Sequence, residues 1–141
     1  MILVDLNQVL ISNLMAQVRG KADVKPNKEM IRFMVLNSLR GINVKFKDEY
    51  GDMVLCSDAS DPWRKDFFPN YKHSRKAQRQ DGPFDWDNIF NIITEIKKEV
   101  QENFPYKVMY VENSEADDII ASIIKLQEET IYLIWKILLY F

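Results

Sequence analysis

The 141 residues contain one cysteine, Cys56, one histidine, His73, and four glycines. A lone cysteine excludes an intrachain disulfide and fits a reducing compartment. The ligand spacing of a zinc site is absent, and the glycines form no phosphate-cradling loop. Bulk positive charge is missing too: 19 Lys and Arg against 21 Asp and Glu leave a net charge of −2. That balance argues against a protein held to polyanions by its overall charge, though not against a local basic patch. The most apolar run, Ile131 to Phe141, contains Lys136 and is too short to span a bilayer. Met1 leads straight into Ile2-Leu3-Val4 with no basic stretch before it, so neither a secretory signal nor a membrane partner is expected, and the expected location is cytoplasmic. No nucleophile context supports a Ser-His-Asp triad, and His73, one residue past Lys72 and two before Arg75, reads as a surface residue.

With 47% hydrophobic and 28% charged residues, the chain has the composition of one modest globular domain. Ile2-Leu3-Val4, ending at Asp5, reads as a buried strand, and Asn7 to Val18 as a helix. Arg19 to Lys28, with Gly20, Pro26 and Asn27, reads as a loop. A helical pattern then runs from Met30 toward Phe46, interrupted at Gly41, to a turn at Tyr50-Gly51-Asp52. Met53 to Cys56 is a second strand and Lys107 to Val111 a third. Helices are expected from Trp86 to Phe104-Pro105 and from Ser114 to Gln127. Strands alternating with helices predict an α/β domain, three-layered, with a mostly parallel sheet between flanking helices.

In such sheets ligands bind outside the C-terminal strand ends. Three acidic groups fall there: Asp5, Asp58, and the cluster Glu115, Asp117, Asp118. Each has a bland explanation. An aspartate after a strand is commonly a turn or cap residue. Ser114-Glu115-Ala116-Asp117 matches a capping box, and acids suit a helix N-terminus. Three acidic strand ends in one small domain together favour a hard divalent cation, which prefers oxygen ligands and can activate water at a phosphodiester.

Between Asp61 and Gln80 the chain interleaves Arg64, Lys65, Lys72, Arg75, Lys76 and Arg79 with Trp63, Phe67, Phe68 and Tyr71. Cations neutralise phosphates and aromatic rings stack on unpaired bases. A solvated amphipathic helix with its aromatics on the core accounts for the composition equally well. Placement directly after Asp58 favours the first alternative, because it sets positive charge beside the acidic cluster.

Asp58-Ala59-Ser60, Trp63-Arg64-Lys65-Asp66-Phe67 and Tyr71-Lys72-His73-Ser74-Arg75, followed by Glu115-Ala116-Asp117-Asp118-Ile119-Ile120-Ala121, resemble the two signatures of the flap endonuclease and 5′–3′ exonuclease family, in the family's order. The pattern around Trp63 and Trp86 is most similar to the phage ribonuclease H branch. The resemblance covers residues 1 to 128. It implies a PIN-like 5′ nuclease fold with a basic helical arch, acting in the host cytoplasm if phage-encoded. It implies Mg²⁺ as cofactor, held by Asp5, Asp58, Glu115 and Asp117, with Asp118 acting through water or behind the ligands. Lys72, with Asp117, would be catalytic, orienting the scissile phosphate at the base of the arch. Arg64, Lys65, Lys72, Arg75, Lys76 and Arg79 would bind nucleic acid. The implied substrates are DNA and RNA·DNA hybrid with a free 5′ end, and the implied role is removal of RNA primers and 5′ flaps in phage DNA replication.

The chain departs from the family after Glu129, beyond which it has no carboxylate. The family continues with a strand ending in D-x-D, a further aspartate and a helix-hairpin-helix region. The expectation is therefore an incomplete nuclease domain over residues 1–129 and a divergent apolar tail over 130–141, from an interrupted reading frame. Activity alone would be impaired, with a complementing C-terminal half as a partner. The alternative is a non-catalytic nucleic-acid-binding remnant.

Overall fold

Strand order determines where a ligand can sit in this fold. The computed structural model describes residues 1–18, 26–80, 84–126 and 132–133. β1 (Ile2–Asp5), β2 (Met53–Ser57), β3 (Lys107–Tyr110) and β4 (Tyr132–Leu133) form one sheet in the order β3-β2-β1-β4. Every pairing is parallel, with Ile2 opposite both Met53 and Tyr132, and Val54 opposite Lys107. The chain steps outward from β1 to β3 and then returns to the far side of β1. Strand order reverses beside β1, which is where a crevice opens at the C-terminal ends of such a sheet.

Successive side chains of a strand point to opposite faces. Ile2, Val4, Met53 and Leu55 enter the larger core, shared with α1 (Leu6–Val18), α2 (Lys28–Tyr50) and α5 (Trp86–Asn103). Leu3, Val54 and Cys56 point the other way, onto Ala116, Ile119 and Ile120 of α6 (Ala116–Leu126). Burial on both faces explains why β1 and β2 read as continuous apolar runs rather than alternating ones. The result is the expected three-layer α/β arrangement. Two short helices, α3 (Arg64–Phe67) and α4 (His73–Gln80), carry the basic segment between β2 and α5.

Several boundaries differ from the sequence expectation. α2 continues through Gly41, where a Cβ would meet nothing within 4 Å, so the glycine costs about 1 kcal/mol of helix propensity without a packing penalty. Asn27 caps α2 by accepting from the Met30 amide at 2.9 Å, and Gly51, at φ +80°, ends it. A short strand forms in the apolar tail, at Tyr132–Leu133, against β1. The remainder of the tail, the domain boundary expected at residue 129, the Asp81-Gly82-Pro83 break and most of the Arg19–Lys28 loop lie outside the described residues. No described helix is long and apolar enough to cross a membrane.

Candidate functional site

The C-terminal strand ends open onto a groove of about 1410 Å³. Asp5, Asp58, Glu115 and Asp117 line it, together with Lys72, Arg75 and Arg79. Three chain segments far apart in sequence thus bring their carboxylates to one place. Asp5 ends β1, Asp58 follows β2, and the acids of α6 follow β3 across the loop 111–115.

Two backbone hydrogen bonds stitch the loops after β2 and β3 together: Ala59 N–H to the Ser114 carbonyl and Trp63 N–H to the Asn113 carbonyl, each at 2.8 Å. Asn113 turns the chain with φ +59°, a left-handed conformation that asparagine tolerates better than most residues. The cap of α6 is placed one residue later than the Ser114-based box expected from the sequence. The Glu115 amide donates to Asp118 Oδ2 at 3.0 Å, so Glu115 is the capping position, but only this half of a capping box forms, because the Glu115 carboxylate is taken by Lys72, Tyr71 and Arg64. The adjacent Ala116 amide donates to Asp58 Oδ1 at 2.7 Å, joining the end of β2 to the start of α6. With those positions filled by Asp58 and Asp118, Asp117 is exposed, its carboxylate accepts no hydrogen bond among the described residues, and it lines the groove.

The carboxylates divide into two electrostatic groups. Glu115, 7% exposed, accepts from Lys72 Nζ at 2.6 Å, Tyr71 Oη at 2.6 Å and Arg64 at 3.1 Å. Burial opposes its ionisation, but the hydrogen bonds from Lys72 and Tyr71 outweigh burial and hold the carboxyl below its ordinary range. Asp118 takes both Arg64 nitrogens at 2.6 Å, and the Trp63 indole N–H donates to it at 3.2 Å. Burial opposes ionisation there as well, and Arg64 reverses the balance. Asp5 is the opposite case. Burial, then the charges of Asp58 and Asp117, push it up to about 6, against the Gln8 amide that donates to it at 2.9 Å. Burial and then Asp5 also push the neighbouring Cys56 thiol up to about 11, leaving it an inert core residue.

The basic segment separates likewise. Lys72 holds φ +56°, a backbone conformation costly for a residue with a Cβ, and from it reaches Glu115. Arg75 and Arg79 line the groove, and the Arg79 guanidinium lies over the rings of Trp86 at 5.1 Å and Phe90 at 5.2 Å. Arg64 and Lys65, expected to face nucleic acid, are not among the residues that line the groove. Arg64 is committed to Asp118 and Glu115, and Lys65 pairs with Asp61 at 2.8 Å. The Lys76 side chain lies outside the described residues. The aromatics do not pack into the core: Phe67 is 72% exposed and Phe68 61%. That removes the alternative of an amphipathic helix with a core-facing aromatic stripe.

Sequence reading missed Tyr71 as a partner of Glu115, Asn7, and the half-buried Lys97 on the groove wall. Asn7 Oδ1 is buried without a hydrogen-bond partner among the described residues, two positions from Asp5 on the groove wall. An unpaired buried acceptor is uncommon. Asn7 lines the same groove as Asp5, Asp58 and Asp117. Among the described residues no group of three or more acids, histidines or cysteines is arranged to hold a metal ion.

Two comparisons bear on this arrangement. Residues 1–136 match a protein family described as 5′-3′ exonuclease, N-terminal resolvase-like domain. Over 127 residues, 87% of the chain, the sequence is 34% identical to ribonuclease H of Enterobacteria phage T4, and it spans 41% of that protein's length.

Proposed function

Since the chain belongs to the 5′-3′ exonuclease family through its N-terminal resolvase-like domain, we propose that it forms the metal-binding half of a Mg²⁺-dependent 5′ nuclease that cuts DNA or RNA·DNA hybrid from a free 5′ end. The role is removal of RNA primers and 5′ flaps in phage replication. The observation that carries this function is the single groove shared by Asp5, Asp58 and Asp117 on one side and Lys72, Arg75 and Arg79 on the other. A phosphodiester hydrolase needs that pairing, with carboxylates to hold a cation and cations to hold the phosphate.

Asp5, Asp58 and Asp117 would hold the metal, with Glu115 and Asp118 behind them. A bound divalent cation supplies Lewis acidity toward water and the phosphate oxygens. The remaining work falls to the chain's own groups. Arg75 and Arg79 neutralise the strand backbone along the groove. The Lys72 ammonium, now on Glu115, lies at the edge of the carboxylates and can donate to a phosphate oxygen there. Tyr71 and Arg64 keep Glu115 ionised and stationary while Lys72 does so.

The test is cleavage of end-labelled flap DNA and RNA·DNA hybrid by the purified chain with Mg²⁺. Cleavage abolished both by Asp117→Ala and by EDTA is expected. Cleavage indifferent to both would overturn the assignment.

A second function, nucleic-acid binding without cleavage unless a complementing half is present, is favoured by one observation. Glu115 and Asp118 are fully engaged by Lys72, Tyr71, Arg64 and Trp63, leaving three carboxylates of the five for metal. Salt-dependent binding by a folded chain that does not cut would select it.

A further inference from the structure

Helix α5 turns its core stripe, Ile89, Ile93, Ile96 and Val100, inward. Trp86 and Phe90 stand beside that stripe, one turn apart, and both line the groove. Their ring centroids are 5.8 Å apart and the rings are tilted by 38°. Trp86 is held from behind, because it packs on the larger core and meets Phe84 edge-on at 6.3 Å. Phe90 is freer, at 40% exposed. The Arg79 guanidinium lies over both rings, and among the described residues it makes no ion pair and no side-chain hydrogen bond. A cation over part-exposed rings is a weak contact with which water competes, so it can open. Phe67 and Phe68 are more exposed, but they are not among the residues that line the groove.

We propose that the Trp86–Phe90 pair is a stacking platform for one unpaired nucleobase, and that Arg79 leaves the rings for the adjoining phosphate when the base arrives. The inference rests on the nucleic-acid groove proposed above and names what that groove discriminates. Every base has a π face, and that face is free for an aromatic side chain only when the base is out of its duplex. A guanidinium is planar and weakly hydrated, and it serves equally on a ring face or, through its fork of N–H donors, on a phosphate. Arg79 therefore occupies the place that a base would take, and its charge stays within a side chain's reach once displaced. The groove is long enough to hold more than the platform: Trp86 and Gln101 both line it, and fifteen residues of helix separate them by about 22 Å. Asp5, Asp58 and Asp117 line the same groove from other elements, so a base held on α5 fixes the register of its strand against them. The groove thus selects unpaired nucleotides over duplex without reading their sequence.

The experiment is fluorescence anisotropy of the full chain in EDTA, which prevents cutting, with three labelled probes of equal length: a thymidine strand, the same strand made of abasic sites, and a blunt duplex. Each is titrated at several salt concentrations. The parent should bind the thymidine strand at least about fivefold more tightly than the abasic one, the lower end of what a base–aromatic stack supplies. Phe90→Leu keeps an apolar side chain and removes the ring. It should abolish that preference while leaving the salt slope and the duplex affinity as in the parent, and Phe90→Trp should restore it. Arg79→Ala should do the reverse, keeping the preference and lowering the slope by about 0.7. Trp86→Leu should repeat the loss seen in Phe90→Leu; if it does not fold, the Phe90 variants decide alone. Equal affinity of the parent for both single strands, or a preference that survives Phe90→Leu, would overturn the platform and leave the groove standing. Absence of salt-dependent binding to any probe by the folded parent would overturn the nucleic-acid groove along with it.

Discussion

Lys72 and Glu115 meet at 2.6 Å across 43 residues of sequence, and the lysine does so from a left-handed backbone. The contact joins the basic segment to the start of α6. Removing the ammonium leaves a buried carboxylate with Tyr71 and Arg64 alone. Lys72→Met should therefore cost about 1–2 kcal/mol of stability in urea unfolding. Its effect on cleavage should be far larger, on the order of a hundredfold, because the phosphate loses a donor. A cleavage loss no greater than the stability loss explains would make Lys72 structural only.

Asp58 has two separable duties. Its Oδ1 accepts from the Ala116 amide, and its charge faces Asp5. Asp58→Asn retains an acceptor for that amide and removes the charge, whereas Asp58→Ala removes both. The asparagine variant should unfold within about 0.5 kcal/mol of the parent yet lose cation binding. The alanine variant should lose cation binding and also about 1 kcal/mol, the usual worth of a cap. Calorimetry paired with chemical unfolding reads both. Cation binding unchanged in Asp58→Asn would remove Asp58 from the ligand set.

What the sequence disclosed and what it hid follow from range. β1, β2 and α5 were legible because burial on both sheet faces, or a stripe such as Ile89, Ile93, Ile96 and Val100, imprints a period on neighbouring residues. The convergence of Asp5, Asp58 and Asp117 was legible at one remove, since a parallel sheet puts all its C-terminal ends on one side. The partners of those acids were not. That Arg64 binds Asp118 depends on loops stitched by Trp63 to Asn113 and Ala59 to Ser114, contacts 50 or more residues apart. The capping box was placed one residue early because serine is a favoured N-cap residue and glutamate is not. Only the fold, with Asp118 on the Glu115 amide and Asp58 on the Ala116 amide, sets the helix start at Ala116. Lys97 carried no local signal, because in sequence it is one of two adjacent lysines on an amphipathic helix.

Arg64 grips Asp118 with two nitrogens and touches Glu115 with one of them. Lysine cannot reproduce that fork. Arg64→Lys should lose about 1 kcal/mol of stability and Arg64→Ala about 2 kcal/mol, since both leave partly buried carboxylates short of donors. Neither substitution should change the salt dependence of single-strand binding, because Arg64 does not line the groove. Arg75→Ala and Arg79→Ala should each reduce the slope of log K against log salt by about 0.7. A reduced slope for Arg64→Ala would return that residue to the binding surface.

The metal-free chain should lose stability as pH rises through about 6, and the cause is Asp5. Its folded value is raised from 3.8 to about 6, by burial first and by Asp58 and Asp117 second. The folded state thus binds the Asp5 proton more tightly than the unfolded state does. The contribution is fully present below the unfolded value and is lost as pH climbs through the folded one. In EDTA, unfolding free energy should fall by about 2 kcal/mol between pH 4.5 and pH 7.5 on this account. Glu115 and Asp118 run the opposite way. Their folded values are depressed, so their support is present above the unfolded carboxylate range and is lost only as the solution becomes more acid than that. Asp5→Asn isolates the first effect. It keeps an acceptor for the Gln8 amide and has no charge to repel Asp58. It should match the parent near pH 4 and exceed it by about 2 kcal/mol near pH 7.5. Saturating Mn²⁺ should close that gap by stabilising the parent alone, because a cation offsets the repulsion that the aspartate creates. If the gap is the same with and without Mn²⁺, Asp5 is not a ligand and its raised value reflects burial alone.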